Sequence, residues 1–328
     1  MNRIPRFAIA MTIAVAAALC LSVWHGSIVS PTSSVFAATA AAQDQAPPDQ
    51  GQPDQGPDPA AGNMAPSGPS YTTEAPPPDQ SADQPGQAPD DSGYAEMPTE
   101  QATQPPPPLP DYDQPPAPGD GYIWTPGYWA WGADGYYWVP GAWVEPPYEA
   151  ALWTPGYWGF YGGRYLFYPG HWGLHIGFYG GINYGFGYIG LGYEGGYWNG
   201  GHFFYNRAYN NINVRVVHNT YNYRAGNPGS YNHGNNNNPR PSYRGGSGVQ
   251  TRPQPAEREA AHEPTAPRMN TQVQHQQTYS NVRGQYAGQN HGRPATPAVS
   301  RPIPADHSSH SAPASHGSGG SSGGGHHR

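Results

Sequence analysis

The most regular pattern of bulky and small positions lies between residues 121 and 174. Aromatic side chains flank Pro-Gly pairs there four times: WTPGYW from Trp124, WVPGAW from Trp138, WTPGYW from Trp153 and FYPGHW from Phe167. Tyr, Trp, Phe and Val dominate the flanks and favour pleated backbone. Asp134-Gly135 and Gly162-Gly163 are hairpin signals. The pattern predicts strands of about ten residues, each carrying Pro-Gly near its middle.

Because the motif is nearly palindromic, an antiparallel meander sets like against like. Folding the first hairpin between Ala133 and Asp134 puts Trp124 opposite Trp143, Trp129 opposite Trp138 and Pro126 opposite Gly141. A second connection centred on Tyr148 sets Trp143 against Trp153 and Trp138 against Trp158, and a third sets Trp153 against Trp172 and Trp158 against Phe167. Two transverse aromatic ladders follow, each ring pair contributing about 0.5–1.5 kcal/mol beyond its burial. The two Trp of a motif stand five positions apart, which in a regular strand sends them to opposite faces. A bulge at Pro-Gly, with glycine at positive φ, returns them to one face. The competing expectation is a type II turn joining shorter strands.

From Gly173 to Gly201 the bulky positions Phe178, Ile182, Tyr184, Phe186 and Tyr188 share one parity, while Gly181, Gly185 and Gly187 hold the other. This reads as a strand stacked closely on a sheet. A membrane helix of the small-residue type is the alternative, opposed by the amount of Gly. NINVRVV from Asn211 alternates as a closing strand.

Elsewhere the pattern lapses. Residues 38–120 hold 21 prolines and 14 acidic side chains with no basic one, and read as a stiff, self-repelling, disordered linker. PPPPLP from Pro105 reads as spacer rather than as a polyproline ligand. Residues 221–328, rich in Asn, Gly and His, carry ten Arg against four acidic groups and read as a basic disordered tail. At the N-terminus Arg3 and Arg6 precede an apolar run from Phe7 to Trp24, and small residues lead to Ala37. Residues 1–37 are therefore expected to be an export signal cleaved after Ala37, or alternatively an uncleaved inner-membrane anchor over residues 7–24. The expected fold is mostly β: a small antiparallel aromatic-rich meander over residues 121–220, flanked by long disordered arms.

Composition sharpens this. Between Tyr122 and Tyr209 lie 31 aromatic residues, so folding capacity is concentrated there. The net charge of -7 hides an acidic and a basic arm, and ten Arg spread over 108 residues are too dilute to imply a nucleic-acid partner. The chain has no Lys, which excludes Schiff-base chemistry. Its one cysteine, Cys20, lies inside the apolar run, so if that segment is removed the exported chain has no thiol, no disulfide and no cysteine metal site. Asp134, Glu145, Glu149 and Glu194 form no recognisable acid pair, and His171, His175, His202 and His218 accompany no nucleophile motif. Nine histidines between His233 and His327 lie scattered on polar chain without ligand spacing. Neither a P-loop nor a dinucleotide fingerprint is present. No catalytic residue, cofactor or metal is expected.

The repeats resemble those of exported bacterial proteins with WXXGXW repeats, also written YXWGXW. Trp124-Gly127-Trp129, Trp138-Gly141-Trp143 and Trp153-Gly156-Trp158 match the motif, and Phe167-Gly170-Trp172 departs from it by Phe for the first Trp. The stretch GFYGGINYGFGY with GYEGGYWNGGHFFYN is similar to the tract that follows the repeats in such proteins. The resemblance covers roughly residues 121–220 and implies export, but no reaction, ligand or catalytic residue.

An aromatic surplus on a sheet between flexible arms points to a non-enzymatic structural or interaction protein, exported to the periplasm or cell surface. The candidate binding face is Trp124, Trp129, Trp138, Trp143, Trp153, Trp158, Phe167 and Trp172, for self-association or adhesion to an envelope polymer. The alternative is a carbohydrate-binding module stacking sugars on exposed Trp and Tyr. Membrane contact is expected only through an uncleaved N-terminal segment.

Overall fold

A computed structural model of the chain describes residues 58–66, 97–224 and 240–306. The export signal or anchor, Cys20, most of the acidic linker and the histidines beyond residue 306 lie outside the described residues. The fold is mostly β, in small and mainly antiparallel sheets.

The repeats build two units of the same plan. Strand β1 (Glu100–Ala102) precedes them. The first unit comprises β2 (Ile123–Thr125), β3 (Tyr128–Gly132), β4 (Gly135–Val139) and β5 (Ala142–Val144). The second comprises β6 (Leu152–Thr154), β7 (Tyr157–Tyr161), β8 (Arg164–Tyr168) and β9 (His171–Gly173). In each unit the inner strands form a hairpin and the outer strands pair beyond it. The expected register is observed: Trp124 faces Trp143 and Trp129 faces Trp138, while Trp153 faces Trp172 and Trp158 faces Phe167. Both hairpins turn at the expected dipeptides. Gly135 takes φ +97° after Ala133-Asp134, and Gly162 and Gly163 take +56° and +81°.

Three expectations about the repeats are corrected. The strands are three to five residues long, because both partners break at Pro-Gly at the same level while the register runs on unchanged. There is neither a one-sided bulge nor a reversal, and the glycines of the four motifs do not take positive φ. The middle of the meander is also absent: β5 does not pair with β6, so Trp143 is not set against Trp153, nor Trp138 against Trp158. Pro146-Pro147 interrupts the connection, and the edge of β5 is already taken. The N–H of Ile303 donates to Trp143 O at 2.9 Å and the N–H of Glu145 donates to Ile303 O at 2.9 Å. A little upstream, Gly141 N donates to Pro297 O at 3.1 Å and Val299 N to Gly141 O at 2.9 Å.

The two units instead pack side by side. The Trp158 indole donates to Trp129 O at 2.7 Å, Tyr136 meets Trp158 edge-on at 5.2 Å, and Tyr128 stacks on Phe167 at 5.5 Å. Tyr188 seals the seam, its hydroxyl within 3.3 Å of Trp124 O and 2.9 Å of Trp153 O, equivalent positions in the two units.

The Gly-rich segment forms two short strands, β10 (Asn183–Gly185) and β11 (Tyr188–Ile189), not one long strand. Positive φ at Gly180, Gly181, Gly185, Gly187, Gly190 and Gly192 explains the bending. Phe178, Ile182, Tyr184 and Tyr188 are nonetheless buried as the parity required. A hairpin of β12 (Gly196–Asn199) and β13 (His202–Asn206) follows, with β14 (Thr220–Tyr221) parallel to β13. Residues 211–217 are not the expected closing strand. Asn213 starts a turn there, its side chain accepting from Arg215 N at 3.0 Å and its carbonyl from Val216 N and Val217 N.

Both arms are structured where described, against the expectation of a bare linker and tail. β1 pairs with β8, the outer edge of the second unit. From the tail, β15 (Tyr243–Arg244) lies parallel to β7, and β16 (Ala266–Pro267) lies antiparallel to β9. Three short helices complete it: α1 (Pro255–Ala260), α2 (Asn270–Ser280) and α3 (Ala287–Asn290). Composition hid this because the arms dock through backbone and amide hydrogen bonds together with a few scattered apolar anchors such as Leu109, Met269 and Ile303. PPPPLP is likewise no spacer: Pro108 O accepts from the Trp129 indole at 3.1 Å, and Leu109 is buried.

Candidate functional site

All eight rings of the candidate face are buried, none more than 5 % exposed. They form the core and do not present a surface. The pairs meet obliquely, Trp124 with Trp143 at 5.3 Å, Trp129 with Trp138 at 5.2 Å, Trp153 with Trp172 at 5.1 Å and Trp158 with Phe167 at 5.2 Å. Such edge-on and tilted contacts suit the ring quadrupole.

Close approach, not backbone freedom, demands the motif glycine. The first aromatic residue of each motif lies on the glycine of the motif paired with it. A Cβ on Gly141 would stand 2.6 Å from the Trp124 ring and 3.0 Å from Gly127 N, and one on Gly156 would stand 2.9 Å from Phe167 Cζ. Gly127 lies in the same way under Trp138, and Gly170 under Trp153. The motif is therefore a reciprocal lock, ring on glycine in both directions across each strand pair.

Indole N–H groups carried into this core need acceptors. The arms supply most of them. Trp143 donates to Pro115 O at 2.8 Å, Trp138 to Pro297 O at 2.9 Å and Trp172 to Gln272 Oε1 at 2.9 Å. The Trp124 indole nitrogen is buried and makes no hydrogen bond among the described residues. Burial also drives phenol ionisation out of reach: Tyr112 and Tyr128 are pushed up to about 12, and Tyr179 and Tyr188 well above the usual range.

The histidines and carboxylates considered from the sequence do not converge. His175 pairs with Glu263 at 2.8 Å, His218 pairs with Asp120 at 2.7 Å, and burial pushes the His171 imidazole down to about 4. Glu145 accepts from Ala305 N at 3.1 Å. Among the described residues no three His, Cys, Asp or Glu side chains gather as a metal site would require, and no helix is long and apolar enough to cross a membrane.

Sequence reasoning missed an open cleft of about 800 Å³ where the end of the acidic linker meets the Gly-rich segment and the turn after β13. Asp111, Asp113, Phe186, Arg207, Tyr209 and Arg240 line it, with Tyr112, Gln114, Asn210 and Asn211 beside them. Gln114 is buried and fastens one wall, donating to Asn210 Oδ1 at 3.1 Å and accepting from Asn211 N at 2.8 Å. Arg240 is committed to Asp111 at 3.1 Å and to Pro110 O at 2.8 Å. Phe186 holds φ +55° between Gly185 at +80° and Gly187 at +94°. A bulky residue in that region costs about 1–3 kcal/mol, offset here by seating the ring against Tyr112 at 5.2 Å and Trp124 at 5.5 Å. The signal that pointed to this place was Gly-Phe-Gly within a glycine run, read as strand parity.

Residues 119–144 match the family model described as the WXXGXW repeat, in two copies. The chain thus carries the repeat that its Trp-Gly-Trp spacing suggested. Comparison with curated proteins and with solved structures yields no match.

Proposed function

We propose that the chain is an exported, non-enzymatic structural or interaction protein of the bacterial cell envelope, self-associating or adhering through its polar surface and arms. The observation that carries this reading is the sealed aromatic core. The rings are consumed in building a rigid body, the arms complete its edges, and the surrounding acids and imidazoles stay dispersed. Adhesion through the ladder itself is set aside, because its rings are covered. The signal-like segment ending at Ala37 supports export. Fractionation of cells expressing the full chain, with N-terminal sequencing of the product, tests the reading. The expected result is an envelope or exported fraction whose protein begins at Ala38 or keeps residues 7–24 as an anchor. A cytoplasmic protein retaining Met1 overturns it.

A further inference from the structure

We propose that the outer edge of β5, with the Trp138 indole beside it, is a binding groove for proline-rich extended peptide, and that residues 297–306 of a second copy enter it in place of the chain's own strap. Copies thereby link by exchanging straps. This rests on the interaction-protein reading above and names the partner and the place. The first observation is the way the first repeat unit holds the arms. Trp129, Trp138 and Trp143 donate their indole N–H groups to the carbonyls of Pro108, Pro297 and Pro115, at 3.1, 2.9 and 2.8 Å. Three indoles of one unit thus take the same kind of acceptor, on segments drawn from both arms. Proline suits that role: it holds itself and the residue before it extended, has no N–H to desolvate, and loses little entropy on docking against aromatic side chains.

The second observation is how little the strap depends on its side chains. Of residues 297–306 only Ile303 is buried. Most of the hold is main chain: Gly141 N donates to Pro297 O, Val299 N to Gly141 O, Ile303 N to Trp143 O and Glu145 N to Ile303 O, while Ala305 N donates to the Glu145 carboxylate. A strand edge that offers backbone bonds and one side-chain pocket is what strand addition by an extended peptide requires. The third observation is that each of these partners precedes the strap in the chain, as do Thr271, which donates to Pro304 O at 3.0 Å, and Asn270, which donates to Asp306 Oδ2 at 2.8 Å. A second copy presents the same groups in the same places, so exchange keeps every contact and concentration decides how often it happens. Thr296 is held by Gln285 from both sides, its N–H donating to Oε1 at 2.9 Å and its carbonyl accepting from Nε2 at 2.8 Å, so the swing is confined to Pro297 and beyond.

Disulfide trapping in the purified full chain tests this, in a Cys20→Ser background where the engineered thiols are the only ones. Val144 and Ile303 are bridge partners in parallel register, which sets half-buried Glu145 opposite exposed Pro304. Glu145→Cys and Pro304→Cys in one chain should close within that chain, with Glu145→Cys and Ala305→Cys as a second pair. The deciding sample mixes two single variants, Glu145→Cys with Pro304→Cys. The expected product is a covalent dimer holding one of each, in about tenfold excess over either homodimer, its yield rising with protein concentration. Excess synthetic peptide of residues 295–306 should suppress that dimer, and a peptide carrying Pro297→Ala, Pro302→Ala and Pro304→Ala should need about tenfold more to do so. The proposal is overturned if neither pair closes within one chain, if a pair closes there but the mixed variants give no excess of the mixed dimer, or if the peptide leaves that dimer undiminished. Equal suppression by both peptides overturns the preference for proline. Because purified protein is used, failure here leaves the localisation test untouched.

Discussion

The two repeat units and the tail around them are held by different forces. Within the units, ring lies on glycine and ring meets ring, so stability is concentrated in a few large contacts. The tail from residue 240 to residue 306 is fixed by many small ones: backbone bonds from Pro297, Val299 and Ile303, and amide bonds such as Gln285 Nε2 to Thr296 O at 2.8 Å. The first mode leaves a strong mark in composition. The second leaves almost none, since asparagine, glutamine and proline serve an ordered strap as readily as a loose one.

The sharpest way to break the contrast is to remove a core ring. Trp124→Ala and Trp153→Ala occupy equivalent places and should each cost about 3–5 kcal/mol in urea unfolding. A loss confined to one of them would show that the units are not equivalent. Next comes the glycine under the ring. Gly141→Ala and Gly170→Ala force the overlying indole and the facing backbone apart, for about 3 kcal/mol each, near the upper end of overpacking effects. Tolerance of both would refute the lock.

In the tail, pH should do what mutation does in the core. Glu257 in α1 is fully buried; its carboxylate accepts from Gln254 N at 2.8 Å and faces the backbone N–H of Gly192. Burial pushes this carboxyl up to about 7; Tyr179 faces it, its own ionisation suppressed by burial, with Glu194 close to that phenol. A folded value above the unfolded one means a contribution fully present below about pH 4 and lost as pH rises through about 7. Hydrogen exchange of residues 255–260, corrected for its intrinsic pH dependence, should quicken between about pH 4 and pH 8 by an amount equivalent to roughly 3 kcal/mol, with little further change above. Glu257→Gln should flatten that dependence, and an unchanged profile would count against a buried protonated carboxyl. The smallest effect is expected at Ile303, whose truncation to Ala should loosen the strap along β5 by about 2 kcal/mol, read as faster exchange at Glu145.

Much of the repeat was legible because a palindrome read with period-two pleating determines which Trp faces which. The ring pairings within each hairpin followed from that, while the turn glycines followed from Asp134-Gly135 and Gly162-Gly163 and the burial of Phe178, Tyr184 and Tyr188 from alternation alone. Three things did not. Pairing of Trp143 with Trp153 was inferred from symmetry alone, yet two prolines and a competing strand from residue 303 decided it. Glycine was assigned to positive φ because that is its commoner use, whereas here it makes room for an indole, a reason visible only when the overlying ring is placed. Exposure of the ladder was inferred from the apparent poverty of the arms. The prolines at 108, 115 and 297 cover the rings and accept their N–H bonds, and no hydrophobicity pattern announces a carbonyl.

One anchor of the acidic arm rests on a single side chain. The amide of Asn63 donates to Tyr193 O at 2.7 Å and Gly196 O at 2.8 Å, and its carbonyl accepts from Ile176 N at 2.8 Å. A single asparagine thus ties residues 58–66 to two separate stretches of the glycine-rich segment, and its loss would undo both attachments together.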